Sequence, residues 1–370
     1  MKTTTGGKKT KAARLKGRGT ASNPSGRFEV RKAAPLDPAE EHGATLWDNM
    51  EDDEPPRPAT IVSIDTTRTI IARNDSPDIP FDRSVNPYRG CEHGCIYCFA
   101  RPSHAFLGLS PGLDFETRII AKPEAARLLA AELRRPGYRP EVMALGSNTD
   151  PYQPVERKMK ITRGVMEVLA SHHHPVAIVT KSDLVLRDTD LLASMARQRL
   201  ASVMISITTL DGGLARRMEP RAAAPHRRLE TIRELVKAGI PTGVLASPII
   251  PGLNDVEIER ILEACAEAGA RFAGYTLLRL PYEVKDLFRE WLNEHYPLRA
   301  ARILSLVRQT RAGALNDPAH GSRMRGVGTL ADVIRNRFVI ARRRFGLDAE
   351  PVRLDTSAFR VPGSQGSLFS

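Results

Sequence analysis

The segment NPYRGCEHGCIYCFARPSH crowds three of the chain's four cysteines, Cys91, Cys95 and Cys98, into one short loop, and nothing else in the sequence restricts the fold so tightly. Intervals of four and three residues are too short for a disulfide framework and suit a metal or cluster site. An iron–sulfur cluster is usually held by four thiolates, one per iron. Three thiolates can wrap one corner of a cubane and leave the fourth iron open to a chelating small molecule. Two rival readings use the same residues. Zinc would take the three thiolates with His93 or His104 as a fourth tetrahedral ligand, although no second Cys or His knuckle follows. A redox pair of Cys95 and Cys98 would leave Cys91 without a role. The remaining cysteine, Cys265, shares the apolar face of a helix with Ile258, Ile261 and Leu262 and reads as a small core residue.

From about Ile61 onward, short aliphatic runs alternate with amphipathic helical stretches, the pattern of βα units around a parallel sheet. The clearest strands are EVMALG (residues 141–146), VAIVT (176–180), ASVMISI (201–207), TGVLASPII (242–250) and FAGYTLL (272–278). All are apolar throughout, as parallel strands covered on both faces should be. Between them lie PEAARLLAAELRR, TRGVMEVLASH, DTDLLASMARQ, HRRLETIRELVKAG and DVEIERILEACAEAG, with Gly239 and Gly269 placed as helix stops. With an earlier strand near residues 84–88 there are six repeats, fewer than the eight of a closed barrel. The predicted architecture is α/β: a partial (β/α)6 TIM-like barrel with a C-terminal helical extension and a disordered basic N-terminal arm.

The boundaries follow from texture. Residues 1–60 form a basic and then acidic arm and linker, 61–282 the barrel, 283–350 the helical extension, expected to cap the open barrel, and 351–370 a frayed tail. No run of roughly 20 apolar residues is present, which speaks against a membrane helix, and the first residues lack the apolar centre of a secretory signal; a cytoplasmic location is expected. The net charge of +12 suggests an anionic partner, nucleic acid first, although solvated basic faces would give the same number. The helix VIRNRFVIARRRFG interleaves Arg335, Arg337, Arg342, Arg343 and Arg344 with Phe338 and Phe345. Its apolar members Val333, Phe338, Ile340 and Phe345 could equally pack on the barrel. The triplet His172, His173 and His174 reads as a helix end, where imidazoles favour the negative end of the dipole.

Polar residues recur where the strands end: Ser147, Asn148 and Asp150, then Lys181 and Ser182, Thr208 and Asp211, Asn254 and Asp255. That rim carries the chemistry in α/β barrels. CEHGCIYC resembles the C-x-x-x-C-x-x-C signature of radical S-adenosylmethionine (SAM) enzymes, including the aromatic Tyr97 before the last cysteine, and it follows the first predicted strand as in that family. The resemblance covers roughly residues 84–280. It implies a [4Fe–4S] cluster on Cys91, Cys95 and Cys98 whose open iron binds SAM. It further implies reductive cleavage to a 5′-deoxyadenosyl radical that takes hydrogen from a substrate, and an electron donor such as flavodoxin or ferredoxin. By the same resemblance GSNTD (residues 146–150) would contact the SAM amino group, and VTKS, ISITT and LASPIIPGLND its carboxylate, ribose and adenine. The candidate SAM contacts are Tyr97, Ser147, Asn148, Asp150, Lys181, Ser206 and Ala246, with Tyr97 using mainly its backbone and Lys181 neutralising the carboxylate.

NPYRGCEHGCIYCFAR with SNTDPYQPVE is similar to the branch that includes spore photoproduct lyase and many uncharacterised relatives. That lyase uses an additional cysteine beside the SAM site as hydrogen donor, whereas this chain has Ala144, Leu145 and Ser147 there, so thymine-dimer repair is not implied. The substrate is not legible beyond the suggestion of a nucleic acid. The alternative from another class is a nucleic-acid-binding protein with a structural zinc or iron–sulfur site.

Overall fold

The computed structural model describes residues 17–28 and 58–363; residues 1–16 of the expected basic arm and residues 29–57 of the linker lie outside that range. The strands are β1 (Ile61–Ile64), β2 (Ile71–Arg73), β3 (Arg83–Val85), β4 (Tyr88–Arg89), β5 (Arg118–Ala121), β6 (Met143–Leu145), β7 (Val176–Thr180), β8 (Ala201–Ser206), β9 (Thr242–Ile249) and β10 (Phe272–Leu277). Seven of them form one sheet in the order β10-β9-β8-β7-β6-β3-β2. β3 and β6 through β10 run parallel, each joined to the next by a crossover, and the sheet ends without β2 meeting β10. The architecture is therefore the expected six-repeat open barrel. Sequence reading missed the antiparallel edge strand β2 and the small second sheet β1-β5-β4. These strands span two to four residues, too short to show an apolar pattern, and all of β1 is exposed.

The long strands read correctly because the physics is local. Val176, Ile178, Val203, Ile205 and Val244 are almost completely buried, covered by helices whose inner faces supply Leu169, Leu192, Ile232 and Leu262. Gly239 and Gly269 end the helices Pro225–Lys237 and Ile258–Glu267 with φ of +76° and +96°, a left-handed turn that glycine adopts without a Cβ clash. Cys265 lies fully buried in that second helix, as a core residue.

The helical extension opens with two helices, Val284–His295 and Ala300–Gln309, separated at Tyr296 and Pro297. Their apolar faces join Cys95, Ile96 and Tyr97 in one cluster with Leu214, Met218 and Leu253, so they cover the loop that carries the cysteines. The helix Thr329–Arg344 packs on the barrel through Ala331, Ile334, Phe338 and Ala341, with Phe338 4.5 Å from the Tyr275 ring. Val333 and Ile340 point to solvent, so of the four apolar members only Phe338 and Phe345 pack on the barrel.

Two segments expected to be loose are docked. Residues 17–28 of the arm lie against the cysteine loop, held by a buried carboxylate described below. The tail returns over the barrel as far as residue 363: Phe359 packs against Tyr138, His172 and His174, and Arg360 N donates to the His172 carbonyl at 3.0 Å. That cover removes the histidines from water. Burial lowers the pKa of His172 and takes His174 down to about 4, so the dipole argument for charged imidazoles does not hold here.

Candidate active site

The C-terminal ends of the parallel strands and the loop after β4 meet on one side of the sheet. Cys91, Cys95 and Cys98 sit on that loop, the first two buried and the third partly open. Burial raises all three thiols, Cys95 to about 12, and the Cys91 thiol is raised further by Asp150 and by the other two cysteines. A cationic centre is thus what the thiolates lack, and Lys181 beside Cys95 and Arg101 beside Cys98 offset only part of the cost. Among the described residues no three His, Cys, Asp or Glu side chains converge on a single-ion position. Each of the two histidines of the zinc reading has one ring nitrogen engaged by the protein. His93 Nδ1 is 3.3 Å from Asp150, and His104, fully buried, has its Nε2 3.0 Å from the Arg118 carbonyl.

The loop is held in place from every side by buried polar groups. Glu92 N donates to Gln153 Oε1 at 2.9 Å, and the Glu92 carboxylate takes Thr60 Oγ1 at 2.6 Å and pairs with Arg221 at 3.0 Å. Arg101, fully buried, donates to the Cys95 carbonyl at 2.9 Å and to Glu116 at 2.5 Å. Glu116, equally buried, then accepts the Gly19 and Thr20 amides at 2.8 and 3.1 Å, which fastens the N-terminal segment. A Cβ on Gly19 would lie 1.7 Å from the Gly94 carbonyl oxygen, so only glycine lets this segment lie against the cysteine loop.

A second buried group lies under Tyr97. Its hydroxyl donates to Glu219 and lies 3.1 Å from Thr208 Oγ1, while Arg228 donates to the other Glu219 oxygen. Burial alone would raise the Glu219 carboxyl, but Arg228, Lys181, Thr208 and Tyr97 outweigh it and hold it at about 2. Tyr97 is therefore anchored by its side chain. Lys181 Nζ sits 5.7 Å from the centre of the Tyr97 ring, within reach of the cysteine loop.

Of the other SAM candidates, Asp150 comes closest to the cysteines, but its oxygens are already occupied. They take Thr180 Oγ1 at 2.7 Å and the Lys181 and Tyr152 amides at 2.9 Å, besides His93, and these partners hold the carboxyl at about 2 against burial. Ser147 Oγ donates to Asn86 Oδ1 at 3.3 Å and Asn148 N to the same atom at 3.1 Å, at the end of β3. Ser206 is buried with its hydroxyl on the Ser247 carbonyl at 3.3 Å, and Ala246 is buried within β9. Several strand-end polar residues serve the fold. Asp211 caps the helix Gly212–Met218, Ser182 caps the turn at Leu184, and Asn254 ties the Thr208 and Pro248 carbonyls at 2.7 and 3.0 Å.

The family model described as the radical SAM superfamily matches residues 85–265. An uncharacterised protein of Mycobacterium tuberculosis is 36% identical over 295 residues, 79% of this chain and 83% of its own. The chain belongs to the radical SAM superfamily. A protein of Pseudomonas phage M6 named radical SAM Nalpha-GlyT isomerase is 24% identical over 62% of this chain and 46% of its own. The solved structure of spore photoproduct lyase complexed with dinucleoside spore photoproduct aligns with a TM-score of 0.55 at 13% identity, covering 77% of this chain and 78% of that one. That likeness fixes the fold. As a radical SAM protein the chain is an enzyme, and among the described residues no helix is long and apolar enough to cross a membrane.

Sequence reasoning missed Glu116, Arg101, Gln153, Glu219 and Arg228. Glu219 alone left a trace, as the only acid in an Arg-rich stretch, RRMEPRAAAPHRR.

Proposed function

We propose that Cys91, Cys95 and Cys98 hold a [4Fe–4S] cluster at which SAM is cleaved reductively, and that the substrate giving up hydrogen is a nucleic acid. The observation that carries this reading is a loop of three thiols, two of them buried, fixed at the C-terminal ends of a six-strand parallel sheet. The remaining cysteine is far off in the helical layer and offers no fourth ligand. When bound, the cluster and SAM supply a carbon radical able to abstract hydrogen.

The chain's own residues bind, orient and shelter. Lys181 brings a positive charge toward Cys95 and suits a carboxylate. Asp150 and His93 hold the loop against β7, so Asp150 acts as a positioning residue. Glu219 and Arg228 lock Tyr97 while remaining charge-balanced. The helices Val284–His295 and Ala300–Gln309 keep water from the loop's apolar side. Nucleic acid as the substrate class is supported by the net charge of +12 and by the dinucleoside bound to the lyase of like fold.

The test is anaerobic reconstitution with iron and sulfide, followed by reductant and SAM. Release of 5′-deoxyadenosine is expected, accelerated by the right nucleic acid, and Cys95→Ala should abolish both iron uptake and release while leaving the circular dichroism of the fold unchanged. A preparation that stays iron-free, or a Cys95→Ala protein that still cleaves SAM, ends the assignment.

A further inference from the structure

The rim beside the cysteine loop gathers aromatic rings that a folded chain would ordinarily bury. Among the described residues, the prominently exposed aromatic side chains are Phe28, Phe99, Phe106 and Tyr282, at 57, 49, 71 and 61% exposure. Three separate segments contribute them, yet they converge. The Phe28 and Phe106 rings are 4.9 Å apart. The Arg27 guanidinium lies 3.6 Å from the centre of Tyr282 and 5.3 and 5.7 Å from those of Phe28 and Phe106. Phe99, the residue after Cys98, has the Arg279 guanidinium 5.2 Å from its ring centre, and Arg279 and Tyr282 share the turn that follows β10. Scattered exposed rings need no explanation, whereas a contiguous group of them marks an interaction surface.

The arginines say what kind of surface. Arg27 is paired with the Glu283 carboxylate at 3.6 Å, beyond hydrogen-bond length. Arg279 has no ion-pair partner among the described residues; its Nε finds no hydrogen-bond acceptor there and its Nη1 reaches only the Met324 sulfur at 3.5 Å. A half-buried guanidinium left without an anion is costly unless an anion arrives. Burial first and the neighbouring Arg323 second lower its pKa, and Asp78 offsets part of that. Flat rings alternating with guanidinium groups match a ligand that alternates flat bases with phosphates. Unpaired bases present their faces to such rings, and a duplex hides them.

We infer that Phe28, Phe106, Tyr282 and Phe99, with Arg27 and Arg279, form a docking platform for single-stranded nucleic acid that leads a strand to the cysteine loop. The inference rests on the reading that the substrate is a nucleic acid, and it adds which form is taken and where it lies. Because Arg27 and Phe28 belong to the docked N-terminal segment, that segment supplies two of the six platform residues.

The experiment uses the reconstituted full chain and a short fluorescein-labelled oligothymidylate, read by fluorescence anisotropy. Phe106→Ala and Tyr282→Ala are each expected to weaken binding roughly five- to tenfold. Ile340→Ala, an exposed apolar change on the far C-terminal helix, should leave binding unchanged. Arg279→Gln should lower the slope of log affinity against log salt by roughly one. The same sequence as a duplex should bind more weakly and ignore the ring substitutions. Melting temperature and iron content of each variant show that the fold is intact. Equal affinity of the ring variants and Ile340→Ala, tighter binding of the duplex, or a preference for polyglutamate over the oligonucleotide would each overturn the platform. If strand binding fails while SAM cleavage persists, only the platform falls; if the protein takes up no iron, the radical reading falls instead.

Discussion

The sheet and the cysteine loop are held together by opposite means. In the sheet, apolar side chains from neighbouring strands and the helices just before or after them exclude water, and the contacts are repeated along its width. The loop depends on buried charge instead. Arg101 with Glu116 and Glu219 with Arg228 are ion pairs with almost no exposure, and each also satisfies backbone or hydroxyl groups of the loop or of the N-terminal segment. Apolar packing is forgiving, because a lost methyl leaves a cavity that neighbours partly fill. A buried charge is not forgiving, since its partner cannot be withdrawn without stranding it. The polar design fixes the loop's backbone in a set position, a task for which non-directional packing is poorly suited.

The largest effect separating the two regions is expected at Glu116. Glu116→Ala strands the Arg101 guanidinium and leaves the Gly19 and Thr20 amides without their acceptor, at a cost of about 3–5 kcal/mol. Thermal unfolding should record that loss, and the iron bound per folded protein should fall as well. The double variant Arg101→Met with Glu116→Leu sharpens the point. Removing both charges should recover much of the melting temperature, yet iron retention should stay low because the N-terminal segment still has nothing to bind. Recovery of both together would show that the pair matters for stability alone.

A comparable substitution in the sheet should behave differently. Ile178→Ala removes a buried side chain from β7 and is expected to cost about 2–4 kcal/mol through lost burial and a residual cavity. Measured on the fraction that remains folded, iron content and SAM cleavage should match the unsubstituted protein. Iron loss in proportion to the loss of stability would erase the distinction between the two regions.

The same contrast explains what the sequence made legible. Strands β7 to β10 were recognisable because each is a self-contained apolar run, and the cysteine spacing was recognisable because its ligands are close in the chain. Glu116 was not, since in LDFETRII it looks like any acid at a helix start, and its role is created by Gly19, Thr20 and Arg101, up to 97 residues away. The docked segment 17–28 was read as disordered because it has no apolar period. Its order comes from hydrogen bonds to the loop and from Arg27 stacking on Tyr282, neither of which leaves a periodic trace. Asp150, expected among the SAM contacts, has its oxygens taken up by His93, Thr180 and the Lys181 amide, partners that its place in SNTD does not reveal.

The smallest effect lies where the C-terminal tail docks on the barrel and uses pH to compare a buried imidazole with the buried carboxylates. His174 ionises at about 4 in the folded protein against 6.5 as its ordinary value, because burial under Phe359 and Tyr138 disfavours the cation. Between those values the unfolded chain binds a proton that the folded one does not, so stability rises with pH across the window and is lost on acidification from 6.5 toward 4, by roughly 1.4 kcal/mol per unit. The carboxylates contribute in a lower window. With folded values of about 2 against 3.8 for Asp150 and 4.5 for Glu219, their stabilisation is complete above about 4.5 and disappears only as pH falls toward 2. Melting temperatures measured from pH 7 down to 4 should therefore fall in the unsubstituted protein and fall less steeply in His174→Gln, even though the variant starts lower for want of the Tyr138 contact. An unchanged slope in that variant would move the acid sensitivity away from the tail and back to the cysteine loop.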